Sequence, residues 1–105
     1  MGPSPERLIG PRQERKDDLT SAAGWRVTIR SSALKSLKRM PAKHSARIVV
    51  AIEGLPVGDV RRLTDKPNEW RLRVGEWRVV FTADFRNRLI DVLWIGPRGA
   101  AYKGR

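Results

Sequence analysis

The stretch EWRLRVGEWRVVF, residues 69–81, limits what this chain can become more than any other part of it. Gly75-Glu76 suits a two-residue type II′ hairpin loop, because the first central position of that turn has positive φ, which glycine adopts without a steric penalty. A two-residue loop leaves no freedom of register. Val74 must face Trp77, Arg73 must face Arg78, and further along Leu72 faces Val79, Arg71 faces Val80 and Trp70 faces Phe81. Successive side chains of a strand point to opposite sides, so Trp70, Leu72, Val74, Trp77, Val79 and Phe81 gather on one face. That face demands an apolar cover. The other face receives Arg71, Arg73 and Arg78.

Like charges at directly opposed positions destabilise a sheet by roughly 0.2–1 kcal/mol, and Arg71 lies about 7 Å away on the diagonal. Stability alone gives no reason for the cluster. A multiply charged anion does, since guanidinium groups grip phosphate oxygens through paired hydrogen bonds of fixed geometry. The competing reading is that each arginine leans toward solvent or a nearby carboxylate. Glu69 shares their face by parity.

The cover comes from earlier in the chain. WRVTIR alternates Trp25, Val27 and Ile29 with polar neighbours, the period of a half-buried strand. Ser31 and Ser32 are good N-cap residues for a helix carrying Leu34, Leu37 and Met40 on one side, and Pro41 stops it. A second helix is predicted over 42–53, with Ile48, Ile52 and Leu55 on its apolar side and Gly54 at its end. Lys35, Lys38, Arg39, Lys43 and Arg47 fall on the outward, solvated faces. Strands are predicted at 69–74, 77–83 and 89–95, with short connections that make them antiparallel neighbours. The expected architecture is α+β, in the order β-α-α-β-β-β, with a helical hairpin packed on one face of a small, mainly antiparallel sheet.

A chain of 105 residues allows one modest core. Residues 1–24 hold three prolines, three glycines and little apolar periodicity, and read as a flexible leader; residues 25–105 read as the domain. The leader contains four basic and four acidic residues, so the other 18 basic and 7 acidic residues carry the whole net charge of +11. Such an excess concentrates polyanions, nucleic acid foremost. Arg62 and Lys66, in the connection before the hairpin, are assigned to nucleic-acid binding. With no cysteine there are no disulfides or thiolate metal sites, which suits a reducing cytoplasm, and the lone His44 cannot build a zinc site. The longest apolar run, 48–52, is far short of the ~20 residues that span a bilayer. No metal, cofactor or membrane contact is expected.

The tail adds chemistry of the same kind. IGPRGAAY puts Arg98 and Tyr102 just past the last strand, where a loop can fold back over the sheet. A phenol among cations has its ionised form stabilised, which suits it to proton transfer.

WRLRVGEWRVVF and VLWIGPRGAAY resemble the hairpin and closing strand of the RelE/ParE superfamily, the toxin halves of bacterial type II toxin-antitoxin pairs. LKSLKRMP followed by ARIVVAIEGL is similar to its helical hairpin, so the resemblance spans residues 25–102. It implies, for the nuclease branch, cleavage of mRNA at the ribosome without metal, by attack of a ribose 2′-OH on the adjacent phosphate. On that resemblance Arg71 and Arg73 occupy the two basic strand positions, Arg78 and Arg98 clamp the phosphate, and Tyr102 orients the substrate or carries a proton. The implied partners are a cognate antitoxin, mRNA and the ribosome. Some active members have lysines at the positions of Arg71 and Arg73, and others have histidine at that of Pro97. Arginine stays protonated and is a poor base, which leaves Glu69 as a carboxylate candidate; His44, on the second helix, is no substitute for the missing histidine.

Two other functions fit the same pattern. ParE-type members inhibit DNA gyrase by binding and do no chemistry. A non-catalytic RNA-binding module would use tryptophans as stacking platforms, but Trp70 and Trp77 fall on the apolar face, where packing claims them.

Overall fold

The computed structural model describes residues 18–65 and 67–99. Its elements run β1 (Asp18–Thr20), β2 (Arg26–Ile29), α1 (Ser31–Arg39), α2 (Ala42–Glu53), β3 (Val60–Arg62), β4 (Glu69–Val74), β5 (Trp77–Asp84) and β6 (Leu89–Pro97). The strands form one six-stranded sheet in the order β1-β2-β6-β5-β4-β3, antiparallel throughout except where β2 pairs with β6. Both helices lie on one face, as the apolar side of the hairpin requires. Leu72, Val79 and Phe81 meet Val27, Ile29, Val92 and Ile95 of the other strands, and Ala33, Leu37, Ile48 and Ile52 of the helices, in a single core.

The hairpin register is the one the turn dictates, from Val74 opposite Trp77 to Trp70 opposite Phe81. Gly75 has φ +58° while Glu76 does not take positive φ, the signature that separates a II′ loop from a I′ loop. The second helix spans the expected residues, and the Gly54 N–H closes it onto the carbonyls of Ala51 and Ile52. Met40 is extended, as the residue before Pro41 should be. The basic residues named for the outward helix faces are exposed.

Three features depart from the reading of the chain. Strand β1 lies inside the stretch that composition assigns to the leader: residues 18–20 pair with β2, Leu19 packs on the core, and Ser21 is buried. The sheet therefore begins before Trp25, because three residues of sheet pairing and one apolar contact are too little to leave a periodicity. Arg30, not a serine, takes the N-cap position of α1, with no side-chain cap bond. Its N–H is already donated to Val92 across the sheet, so the helix starts as soon as the strand ends. Finally, VRR at 60–62 forms edge strand β3, antiparallel to β4, where a loop was expected.

Candidate functional site

Cross-strand register arranges the face away from the helices into rows. One row runs Arg61, Arg71, Val80, Trp94 across β3, β4, β5 and β6; the next, nearer the Gly75 turn, runs Arg73, Arg78, Gly96. On the far side of the first row lie Glu69, Thr82, Asp91 and Thr28. The order along β6 depends on a bulge. Phe81 pairs with Val92 and Val80 with Trp94, so Leu93 is the extra residue, and Trp94 comes to the arginine face while Val92 stays in the core.

Arg71 sits at the centre of this face with only 8 % of its surface exposed. Its Nη1 is buried and has no hydrogen-bond partner among the described residues, and the same is true of Arg78 Nε and Glu69 Oε1. Burial lowers the pKa of the Arg71 guanidinium, and the positive charges of Arg78, Arg73 and Arg61 lower it further against the opposing pull of Asp59. A buried donor left unpaired costs about 1–3 kcal/mol, and the charged neighbours add to that. Among the described residues the compensation is slight. Asp59 approaches Arg73 Nε at 3.7 Å, and both groups are half exposed. Asp91, on the same face, is committed to the Arg30 guanidinium at 3.0 Å and to the Thr28 hydroxyl at 3.2 Å.

Arginines occupy the end near the Gly75 turn, whereas the opposite end forms a cavity of about 370 Å³ lined by Arg26, Thr28, Thr82, Asp84 and Asp91 among others, with charges of both signs. What the arginine end can do chemically follows from its donors: buried guanidinium groups with unused N–H bonds can grip a phosphate and stabilise extra negative charge on it. Among the described residues, no group of three or more His, Asp or Glu side chains is placed to hold a metal ion.

The residues named from the sequence are only partly brought together. Arg71, Arg73 and Arg78 share the patch. Arg98 follows β6 at the same end of the sheet, two residues past the Gly96 that pairs with Arg78, and its N–H is donated to the Glu76 carbonyl of the turn. Arg62 pairs with Trp70, which puts it on the helix side by parity, and its guanidinium is bonded to the Pro67 carbonyl at 3.1 Å. Lys66 and Tyr102, like residues 1–17 of the expected leader, lie outside the described residues. His44 is occupied elsewhere: its Nδ1 accepts the indole N–H of Trp77 at 3.2 Å. Two residues escaped the sequence reading. Arg61 stands directly beside Arg71, and Val60, apolar in a polar connection, was the one sign of a strand there; Trp94 was hidden by the bulge, which leaves no mark in the sequence.

Fold and site together define a small basic α+β protein with an arginine-lined sheet face. No protein-family model matches the chain. It is 29 % identical over 86 residues to RelE1 of Methanocaldococcus jannaschii, covering 75 % of this chain and 96 % of that one. It is 27 % identical over 84 residues to the toxin RelE of Mycobacterium tuberculosis, covering 75 % and 87 %. Among solved structures, the archaeal RelE-RelB complex of Pyrococcus horikoshii superposes with a TM-score of 0.61 at 29 % identity, over 73 % of this chain and 98 % of that one. In sequence and in fold the chain is thus similar to RelE toxins.

Proposed function

We propose that this protein is the toxin of a type II toxin-antitoxin pair and an endoribonuclease that cleaves mRNA at the ribosome. One observation carries the reading: Arg71 is buried at the centre of a sheet face among Arg61, Arg73 and Arg78, and among the described residues two of the four keep unused donors and carboxylate compensation is slight. A fold keeps such an arrangement when a phosphodiester completes it.

The reaction needs no metal in this scheme. The ribose 2′-oxygen attacks the adjacent phosphorus, the P–O5′ bond breaks, and the products are a 2′,3′-cyclic phosphate and a 5′-hydroxyl. Charge on the phosphoryl oxygens grows toward the pentavalent intermediate, and Arg71, Arg73, Arg78 and Arg98 stabilise it there more than in the ground state. The proton lost by the 2′-OH goes to Glu69, whose buried Oε1, without a partner among the described residues, lies on the same face two residues before Arg71. Tyr102 supplies the proton to the leaving O5′. The arginines remain protonated and take no part in proton transfer.

A cognate antitoxin is the expected partner, acidic enough to neutralise a net charge of +11. The RelE chains of Pyrococcus horikoshii and Mycobacterium tuberculosis were solved as complexes with RelB-type antitoxins, which supports a partner of that kind here. Both toxin and ribosome would meet in the cytoplasm.

The test is primer extension on messages from a translation extract supplied with the purified protein. Cuts within ribosome-bound mRNA, reduced ~10²–10³-fold in Arg78→Ala by analogy with the loss of one charge-stabilising donor, are the expected result. Intact messages alongside inhibited gyrase supercoiling would overturn the nuclease reading and select the binding-only ParE type.

A further inference from the structure

Trp77 opens β5, and the sheet gives it incomplete pairing there. Its ladder partners are Val74, across the two-residue turn, and Pro97, which has no N–H to give to the ladder. A side chain of α2 anchors it instead. The indole N–H of Trp77 is donated to Nδ1 of His44 at 3.2 Å, with the two rings edge-on at 65° and their centroids 5.7 Å apart. Arg47, one helical turn further and so on the same side of α2, reaches the same turn: a Cβ built on Gly75 would lie 3.1 Å from its Nη2. Positions 76–78 therefore join three parts of the molecule. The Glu76 carbonyl accepts the Arg98 N–H, the Trp77 ring is held by α2, and Arg78, next in the strand and so on the opposite side of the sheet, belongs to the arginine patch.

We infer that His44 is a positioning residue for the arginine site and makes that site sensitive to pH: neutral His44 holds Trp77, and with it Arg78 and Arg98, in place for the phosphate, and protonated His44 releases them. This rests on the reading of the arginine face as an RNA-phosphate site and adds its regulation. An indole nitrogen can only donate, so the bond exists only while Nδ1 offers a lone pair, in the neutral imidazole with its proton on Nε2. An imidazolium carries N–H groups at both nitrogens, and two donors would then face each other across the same contact. Solvent protons reach the ring, because His44 is only partly buried and lines a cavity of about 340 Å³ with Arg47, Glu76, Trp77 and Pro97. Among the described residues, the charged side chains sharing that cavity are Arg47 from α2 and Glu76 from the turn, one of each sign; Lys43 beside His44, Arg98 beside Pro97, and Lys38 and Arg39 at the end of α1 are exposed. His44 is the only histidine of the chain, so no other imidazole responds between about pH 5 and 8. The sign of the effect is diagnostic. Protonation elsewhere makes a basic protein more cationic and tightens its hold on a polyanion, whereas release of Trp77 weakens it.

The experiment uses the full chain and a 2′-O-methylated oligouridylate without a terminal phosphate, which cannot be cut and has no group that titrates in this range. Its affinity is measured at about pH 7.5 and about pH 5.5. The wild type is expected to bind roughly 2- to 10-fold more weakly at the lower pH, the net worth of one hydrogen bond. His44→Asn puts an amide oxygen close to the place of Nδ1 and cannot be protonated; it should bind as the neutral wild type does at both pH values. Trp77→Phe keeps the charge of the histidine but has no N–H for it to hold. It should be weaker at about pH 7.5 by the same factor and lose nothing further in acid. A second readout needs no variant to fold: in NMR spectra of the wild type, the Trp77 indole N–H signal and the His44 ring signals should titrate with a common midpoint. Binding in acid that equals or exceeds that at neutral pH, an acid loss in Trp77→Phe as large as in the wild type, or an indole signal that ignores the histidine titration overturns the inference. If Arg71→Ala and Arg78→Ala weaken binding while acid does not weaken the wild type, the role of His44 is refuted and the phosphate site stands. If the arginine variants bind as the wild type does at both pH values, the functional reading itself has failed.

Discussion

Replacing Arg71 by methionine should make the protein more stable and less able to bind RNA. Methionine keeps a straight apolar stem of similar reach, so the packing of the stem is largely preserved. What disappears is a buried donor, Nη1, with no partner among the described residues, whose penalty is about 1–3 kcal/mol, and repulsion from the neighbouring arginines, roughly 0.2–1 kcal/mol for the directly facing Arg61. Allowing for contacts the guanidinium makes by packing alone, a gain of about 1–2 kcal/mol is expected, or roughly 5–15 °C in Tm for a domain of this size. The sign follows from linkage. A cation whose pKa is lower in the folded state is held there at a disadvantage wherever it is charged, so the penalty is present at neutral pH and is relieved only in strongly alkaline solution. The assay is thermal unfolding followed by circular dichroism, with and without single-stranded RNA. RNA at 100 times its Kd should stabilise the wild type by about 2.7 kcal/mol and Arg71→Met by far less. A fall in Tm, or an unchanged response to RNA, would refute the view that Arg71 is kept for an anion at the expense of stability.

Each arginine that contacts a phosphate should leave a trace in the salt dependence: Arg78→Ala is expected to lower the slope of log K against log salt by about 0.7, whereas Arg62→Ala, on the other side of the sheet, should leave it nearly unchanged. Gly75→Ala, which forces a side chain into φ +58° with Arg47 Nη2 3.1 Å from the new Cβ, should destabilise by about 1–2 kcal/mol in urea unfolding. Asp84 caps the turn before β6, accepting the Asn87 side-chain N–H at 2.9 Å and the Asn87 and Arg86 backbone N–H groups at 3.1 Å each, and these bonds lower its pKa. Its contribution is therefore complete above the unfolded carboxylate pKa of about 4 and lost as the pH falls through the lower folded value, so the stability difference between wild type and Asp84→Ala should be constant above about pH 5 and shrink in acid.

Much of the site was readable along the chain because it is built on local rules. A glycine at the head of a two-residue loop sets the pairing of Arg73 with Arg78, and parity then assigns every side chain of β4 and β5 to a face. The helices were readable for the same reason, since Leu37, Ile48 and Ile52 recur with the helical period and Pro41 and Gly54 punctuate it. Where contacts between distant segments decide the outcome, the local rules ran out. Strand β1 leaves no periodic trace, and Arg62, adjacent in sequence to Arg61, ends on the opposite side of the sheet because only pairing with β4 assigns parity to β3.

The amino-acid order by itself determined the register of the hairpin, the pair of helices that covers it and the gathering of three arginines on the uncovered face, all consequences of turn geometry and of periods of 2 and 3.6 residues. Tertiary structure alone decided how deeply Arg71 is buried, that Arg61 joins it from β3, and that a bulge in β6 turns Trp94 toward the cations. The reason is physical: burial, edge pairing and bulges are settled by which strand arrives alongside, and that depends on the free energy of the whole sheet rather than on any one segment.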